Sequence, residues 1–340
     1  MGTGEVESSL PHVSIIVPAY NEALYIGACL QGVQNLDYPP SRIQTIVVDN
    51  GSSDGTADIA RQSGVTVVEL SSGFVGAVRN FGADAAEGDI LAFIDGDCVP
   101  DPSWLRVAVS ILLEDNAIGA VGGCCLAPAD STWVERAWEA PRKEGGVVPA
   151  LAASSLVMRR RLFEELGGFN ESLSAGEDDE FSHRIQVSGK RLVYSPVCTV
   201  YHLGWPKSLA EVFNRQRWQG STQLDTARHW WDPNLIATHA LSVAPAITLF
   251  LLFLIGPGAW ATWTPVVGAL GLPLAAATRR VARHSGPRRL TRLAQLVPVY
   301  CAYYLGRCTG LWVNYMNRIG LSPKRVDKTW QRTATRPADT

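Results

Sequence analysis

"LAFIDGDCVP", residues 91–100, carries an apolar run with strand character straight into two aspartates one residue apart, Asp95 and Asp97. Strands often end in Asp and Gly because these residues favour turns, so D-G-D alone reads as a turn. The alternative is a rigid strand presenting two hard carboxylate ligands to a divalent cation of the Mg²⁺ or Mn²⁺ type. The surrounding pattern has to decide between them.

Working outward, residues 13–17 (VSIIV), 44–48 (QTIVV), 65–70 (VTVVEL) and 90–94 (ILAFI) are short, β-branched-rich runs, each followed by a polar turn. Between them, 22–33, 56–62, 75–86 and 103–113 have helical spacing at crossover length. Strands alternating with helices predict an α/β fold, a mostly parallel Rossmann-like sheet with helices on its faces. Ligands bind such sheets at the carboxyl ends of the strands. That is where "PAYNE", "DNGSSDGT" and "DGDC" fall. No G-x-G-x-x-G follows the first strand, which disfavours a dinucleotide fold.

The 340 residues are 46% hydrophobic and 18% charged, enough for a sizeable core, and the net charge of −2 gives no reason to expect nucleic acid. Seven cysteines without C-x-x-C spacing predict reduced, mostly buried thiols. The first residues have no basic n-region, so no secretory signal is visible and this part of the chain is expected in the cytoplasm.

From Pro233 to Thr278 there is no Asp, Glu, Lys or Arg. With about 20 residues per crossing, and Gly256-Pro257-Gly258 as a turn, this predicts a membrane hairpin over about 235–278. "RRVARHSGPRRLTR" (279–292) then places a basic patch at cytoplasmic headgroups. The apolar stretch at about 292–316 contains Arg307, which favours an interfacial or re-entrant helix over a third span. The expected organisation is a tail (1–11), a catalytic domain (12–230), a membrane region (231–318) and a basic polar tail (319–340), with the protein at the inner membrane.

"VSIIVPAYNE", "IVVDNGSSDGT", "VRNFGADAAEGDILAFIDGDC", "LGGFNESLSAGEDDEFSHRI" and "VYHLG" stand in the order and spacing of family 2 glycosyltransferases of the GT-A fold, which residues 12–220 resemble. The resemblance implies a nucleotide-diphosphate sugar donor, with UDP-sugars favoured, and a divalent metal, Mg²⁺ or Mn²⁺, that offsets charge on the leaving diphosphate. It implies Asp97 as direct metal ligand, Asp95 at the ribose or at the metal through water, and His202 completing the metal site. Pro18, Tyr20, Glu22, Asp49 and Arg79 are implied near the nucleoside or phosphates. Asp178 is implied as general base with Glu177 beside it, giving inversion at the anomeric carbon. Asp179 and Glu180 fit a role at the helix dipole, and Asp54 that of an N-cap.

Two departures bear on the acceptor side. "NRQRWQG" (214–220) resembles the Q-x-x-R-W element of processive members, but Asn214 replaces Gln. Arg217 and Trp218 are left as either diphosphate and sugar contacts or part of an interfacial aromatic belt. Ser155 stands where relatives often have Asn, and residues 133–149 read as a mobile loop. The implied acceptor is membrane-proximal, a lipid-linked saccharide or other glycan, or polyprenyl phosphate. A catalytically silent nucleotide-sugar-binding scaffold is the competing reading, which retention of both D-G-D and E-D opposes. A nucleotidyltransferase would need a Gly-rich basic loop where "PAYNE" stands.

Overall fold

A computed structural model describes residues 10–139, 144–226, 238, 259–282 and 289–319. The chain forms two compact units, one of Met1–Pro128 with Arg142–Gly204 and the other of Ala129–Pro141 with Trp205–Thr340.

In chain order the elements are β1 (Val13–Ala19), α1 (Ile26–Gln34), β2 (Ile43–Asp49), α2 (Thr56–Gln62), β3 (Thr66–Glu69), α3 (Val75–Asp84), β4 (Ile90–Phe93), β5 (Cys98–Pro100), α4 (Trp104–Glu114) and β6 (Ile118–Leu126). There follow α5 (Trp133–Trp138), β7 (Gly146–Val147), β8 (Leu156–Arg159), α6 (Arg160–Glu165), α7 (Glu177–Val187), β9 (Arg191–His202), α8 (Leu209–Thr226), α9 (Ala259–Ala282) and α10 (Arg289–Arg318).

The first unit is built on a sheet of order β3-β2-β1-β4-β8-β6-β9-β5, with β7 also on β9. The four strands expected from sequence run parallel. Beyond β4 the sheet is mixed: β8 runs antiparallel to both β4 and β6, β9 is parallel to β6, and β5 turns back along β9. The apolar runs are continuous because both faces are covered. Ile15 and Val17 join Leu30 and Trp104 in one buried cluster, and Ile16 joins Val48, Phe93, Phe163, Phe169 and Phe181 in the other. Helix α3 lies tight on the second face, where a Cβ at Gly82 would meet Ile16 Cγ2 at 2.6 Å and Val48 Cγ2 at 2.8 Å.

In the second unit α8 and α10 approach backbone to backbone. A Cβ on Gly306 or Gly310 would collide with the carbonyls of Phe213 or Arg217, and one on Gly220 with that of Arg307. Arg307, expected from sequence in an interfacial or re-entrant helix, donates to Gln216 Oε1 (2.7 Å) and Gln219 Oε1 (3.1 Å). These glutamines belong to the "NRQRWQG" element. Residues 133–138 are helical instead of loop: Thr132 and Glu135 form a reciprocal capping box, and Val134 packs with Val212 and Val299. Residues 140–143 lie outside the described residues.

The first half of the expected hairpin, 239–258, also lies outside the described residues. Its second half is α9, which continues past Thr278 to Ala282 and packs Ala277 and Val281 against Leu296. No helix among the described residues is long and apolar enough to cross a membrane. The basic tail, 320–340, is outside the described residues.

Candidate active site

Strand pairing assembles the site. Pairing of Cys98 with His202, extended by the Leu203 N–H donating to Asp97 O (2.8 Å), brings the D-G-D turn against the end of β9. Asp97 Oδ2 then lies 3.6 Å from His202 Nδ1. Nδ1 accepts the Gly204 N–H at 3.2 Å, so this nitrogen is an acceptor. Asp97, Cys98 and His202 each offer one ligand atom, all within 4.8 Å of one another. This carboxylate, imidazole and thiol set fits a divalent cation. Cys98 joins the group although the sequence did not single it out. Its thiol is pushed up by the hydrogen bond to Cys125 and by burial, and so is that of Cys29 by burial and the charges of Asp97, Asp95 and Glu22. All seven cysteines are free thiols, with Cys29, Cys98, Cys124 and Cys198 buried.

Gly204 backs this pair so closely that a Cβ there would run into the Asp97 carboxylate. Sequence reasoning missed this glycine, which stands inside "VYHLG". Asp95 turns the other way, accepting Arg79 NH2 on Oδ1 at 2.7 Å. Arg79, expected beside base or phosphate, is buried, and its NH1 donates to Glu177 Oε1 at 2.6 Å.

Asp49 ends β2 and is 4% exposed. Its Oδ2 accepts the Ser52 N–H at 3.0 Å, while Oδ1 is buried without a hydrogen-bond partner. An orphaned buried oxygen costs free energy unless a ligand donor reaches it. Asn21, the one non-glycine residue with positive φ (57°) among the described residues, ties the first two strand ends together. Its N–H donates to Ser52 Oγ (2.9 Å) and its Oδ1 accepts the Ser53 N–H (2.9 Å). Glu22 N donates to Thr56 Oγ1 (2.8 Å). Asp54 takes the Thr56 and Ala23 N–H groups, but the α2 N-cap is Gly55, at φ 90°. Pro18 is buried and Tyr20 is 37% exposed at the same strand end.

Helix α7 begins after Gly176, at φ 76°, with Glu177, Asp178, Asp179 and Glu180 in its first turn. Glu180 pairs with Arg184 at 2.8 Å. Glu177 is buried against Arg79. The Asp178 carboxyl is pushed up to about 6, first by burial and then by the charges of Glu177 and Asp179, with Arg79 opposing. Arg217 and Trp218 belong to α8 in the second unit, Arg217 exposed and Trp218 half-buried. Ser155, weighed on the acceptor side, is buried and accepts the Trp104 indole N–H at 2.9 Å.

The model of Glycosyl transferase family 2 matches residues 14–167. Glycosyltransferase AglE of Haloferax volcanii is 34% identical over 200 residues, 55% of this chain and 66% of AglE. The probable glycosyltransferase YdaM of Bacillus subtilis is 27% identical over 216 residues, 56% of this chain and 50% of YdaM. The matches therefore span half to just under two thirds of these curated relatives. Mannosyltransferase PcManGT from Pyrobaculum calidifontis, solved with GDP-Man and Mn²⁺, superposes with a TM-score of 0.55 at 24% identity, covering 92% of this chain and 89% of that one. The likeness establishes a GT-A-type fold, a mixed α/β sheet with flanking helices.

Proposed function

Because the chain is a glycosyltransferase that belongs to family 2, we propose that it transfers a sugar, with inversion, from a nucleotide-diphosphate sugar to an acceptor held at a membrane. The observation that carries the reading is the meeting of Asp97 and His202 at the carboxyl end of the sheet, 3.6 Å apart. Asp97 and His202 would hold a divalent cation, which supplies Lewis-acid stabilisation for the departing diphosphate. Asp49 Oδ1 accepts an N–H from the nucleobase, and Tyr20 covers the base from the solvent side. UDP-sugars are the first donors to test, ahead of GDP- and dTDP-sugars.

Asp178 takes the proton of the acceptor hydroxyl as its oxygen bonds to the anomeric carbon and the bond from that carbon to the diphosphate breaks. A single displacement of this kind inverts the anomeric configuration. A pKa near 6 keeps Asp178 ionised at neutral pH while leaving it basic enough to share the proton in the transition state.

The charge-free run from Pro233 to Thr278 and the arginine-rich 279–292 support an acceptor at the cytoplasmic face of a membrane. On α10 the exposed side chains include Leu305, Trp312, Tyr315 and Met316, with Ile319 just past its end, a surface suited to lipid contact. A lipid-linked saccharide or polyprenyl phosphate fits that setting. The test is transfer of radiolabelled sugar from each donor class, with Mn²⁺ or EDTA, to extracted membrane lipids, with the anomeric configuration read by NMR. Metal-dependent transfer with inversion is expected. Transfer unaffected by EDTA, or retention, would contradict the assignment.

A further inference from the structure

Arg79 is 4% exposed on α3, between the strand end that carries Asp95 and the helix start that carries Glu177. Its two terminal nitrogens reach one carboxylate each, Glu177 Oε1 at 2.6 Å and Asp95 Oδ1 at 2.7 Å. Its Nε is buried with no hydrogen-bond partner, and its Cζ lies 5.6 Å from the centroid of the Phe169 ring. Burial pushes the guanidinium down, but the two carboxylates outweigh this and hold it above the ordinary arginine value. It stays charged at any working pH.

The next residue anchors the same region by other means. Asn80 Oδ1 accepts the Phe169 N–H at 2.8 Å, and its Nδ2 donates to Phe169 O at 2.9 Å. Gly168, at φ 66°, permits this approach, since a Cβ there would meet Asn80 Oδ1 at 2.6 Å. Phe169 in turn packs on Phe181 of α7 with centroids 4.7 Å apart. Two adjacent residues of one helix thus grip the D-G-D strand end on one side, and both the approach to α7 and its first residue on the other.

We propose that Arg79 is a positioning residue that fixes the start of α7, and with it Asp178, relative to the metal-side carboxylates, and that it makes no contact with the donor. The proposal rests on the glycosyltransferase reading above. A planar guanidinium can fork between two carboxylates in fixed geometry, whereas a lysine ammonium is a point charge on a flexible stem. Misplacing a catalytic group by about 1 Å costs about 100-fold in rate. Arg79 should therefore act on turnover and leave donor affinity alone.

The experiment uses the full chain, with two readouts that need no identified acceptor. One is calorimetric affinity for UDP and GDP in the presence of Mn²⁺. The other is slow donor hydrolysis, in which water replaces the acceptor at the anomeric carbon, its proton passes to Asp178 and the nucleoside diphosphate leaves. UDP-glucose, UDP-GlcNAc and GDP-mannose serve as donors. Arg79→Lys is expected to keep nucleotide affinity within about threefold and to lose about 100-fold in plateau hydrolysis, with the acid limb of the pH profile in place. Arg79→Gln should lose as much and also move that limb to higher pH, because a cation that lowers the Asp178 pKa is gone. Glu177→Gln keeps the shape and the Arg79–Asp95 pair, and it covers the case in which an Arg79 variant does not fold. It too should keep affinity and lose turnover.

Nucleotide affinity lost with hydrolysis preserved would make Arg79 a donor ligand and overturn the proposal. Wild-type hydrolysis in Arg79→Lys, or joint loss of affinity and rate in a folded Glu177→Gln, would overturn it as well. Failure of the wild type itself to bind any nucleotide with Mn²⁺ would remove the proposed metal-dependent nucleotide-sugar site and the proposal with it. That outcome is visible without any variant.

Discussion

At the scale of single residues, a general base works best with a pKa close to the working pH, and Asp178 is held at about 6 by burial and by Glu177 and Asp179. In the proposed role the ionised form is the base, so activity is lost as pH falls through that value. The rate of transfer should show an acid limb near pH 6 instead of near the ordinary aspartate value of about 4. Asp178→Asn should lower turnover by about 10² to 10⁴ with nucleotide affinity intact, and calorimetry beside a rate assay checks both halves. Gly204→Ala pushes a methyl group into the Asp97 carboxylate. Nucleotide affinity in Mn²⁺ should fall at least about tenfold in this variant, while affinity in EDTA stays the same. Asp49→Ala should cost about 1.5–3 kcal/mol of nucleotide affinity, the worth of a hydrogen bond to a charged group, and leave Mn²⁺ binding unchanged.

At the scale of elements, the four parallel strands were legible because runs such as VSIIV and ILAFI are apolar on both faces, which only a doubly covered sheet explains. The chemistry-bearing turns were legible for the related reason that they follow those strands. The mixed half of the sheet was not. β8 and β5 are four and three residues long, and their direction is set by the neighbours they pair with and not by any local pattern. Roles decided by side-chain partners were equally hidden. The sequence places Arg79 beside base or phosphate but gives no sign of its two carboxylate partners, and it gives no sign that Ser155, weighed on the acceptor side, lies under the Trp104 indole. Ser155→Ala leaves that indole N–H unpaired in the core and should cost about 1–3 kcal/mol of stability, measurable as a lower denaturant midpoint, with nucleotide binding unaffected.

At the scale of the whole molecule, the two units answer to different physics. The first buries aromatic and aliphatic side chains on both faces of a sheet. In the second, glycines bring α8 and α10 into backbone contact and glutamines satisfy Arg307, an economy of small and polar contacts used by helices packed in lipid. On the membrane reading proposed above, the 340-residue chain should float with vesicles containing anionic lipid. The double variant Trp312→Glu with Ile319→Glu should float less, and undiminished flotation would count against the proposed membrane contact.

The central claim, that Asp97 and His202 make a metal-dependent nucleotide site, is tested most directly by calorimetric titration of the wild type and of His202→Ala with UDP and GDP, in Mn²⁺ and in EDTA. The account predicts binding of one nucleotide in Mn²⁺, at least about tenfold weaker in EDTA, with that metal dependence lost in His202→Ala. Equal affinity with and without metal in the wild type, or an undiminished metal effect in the variant, would contradict it.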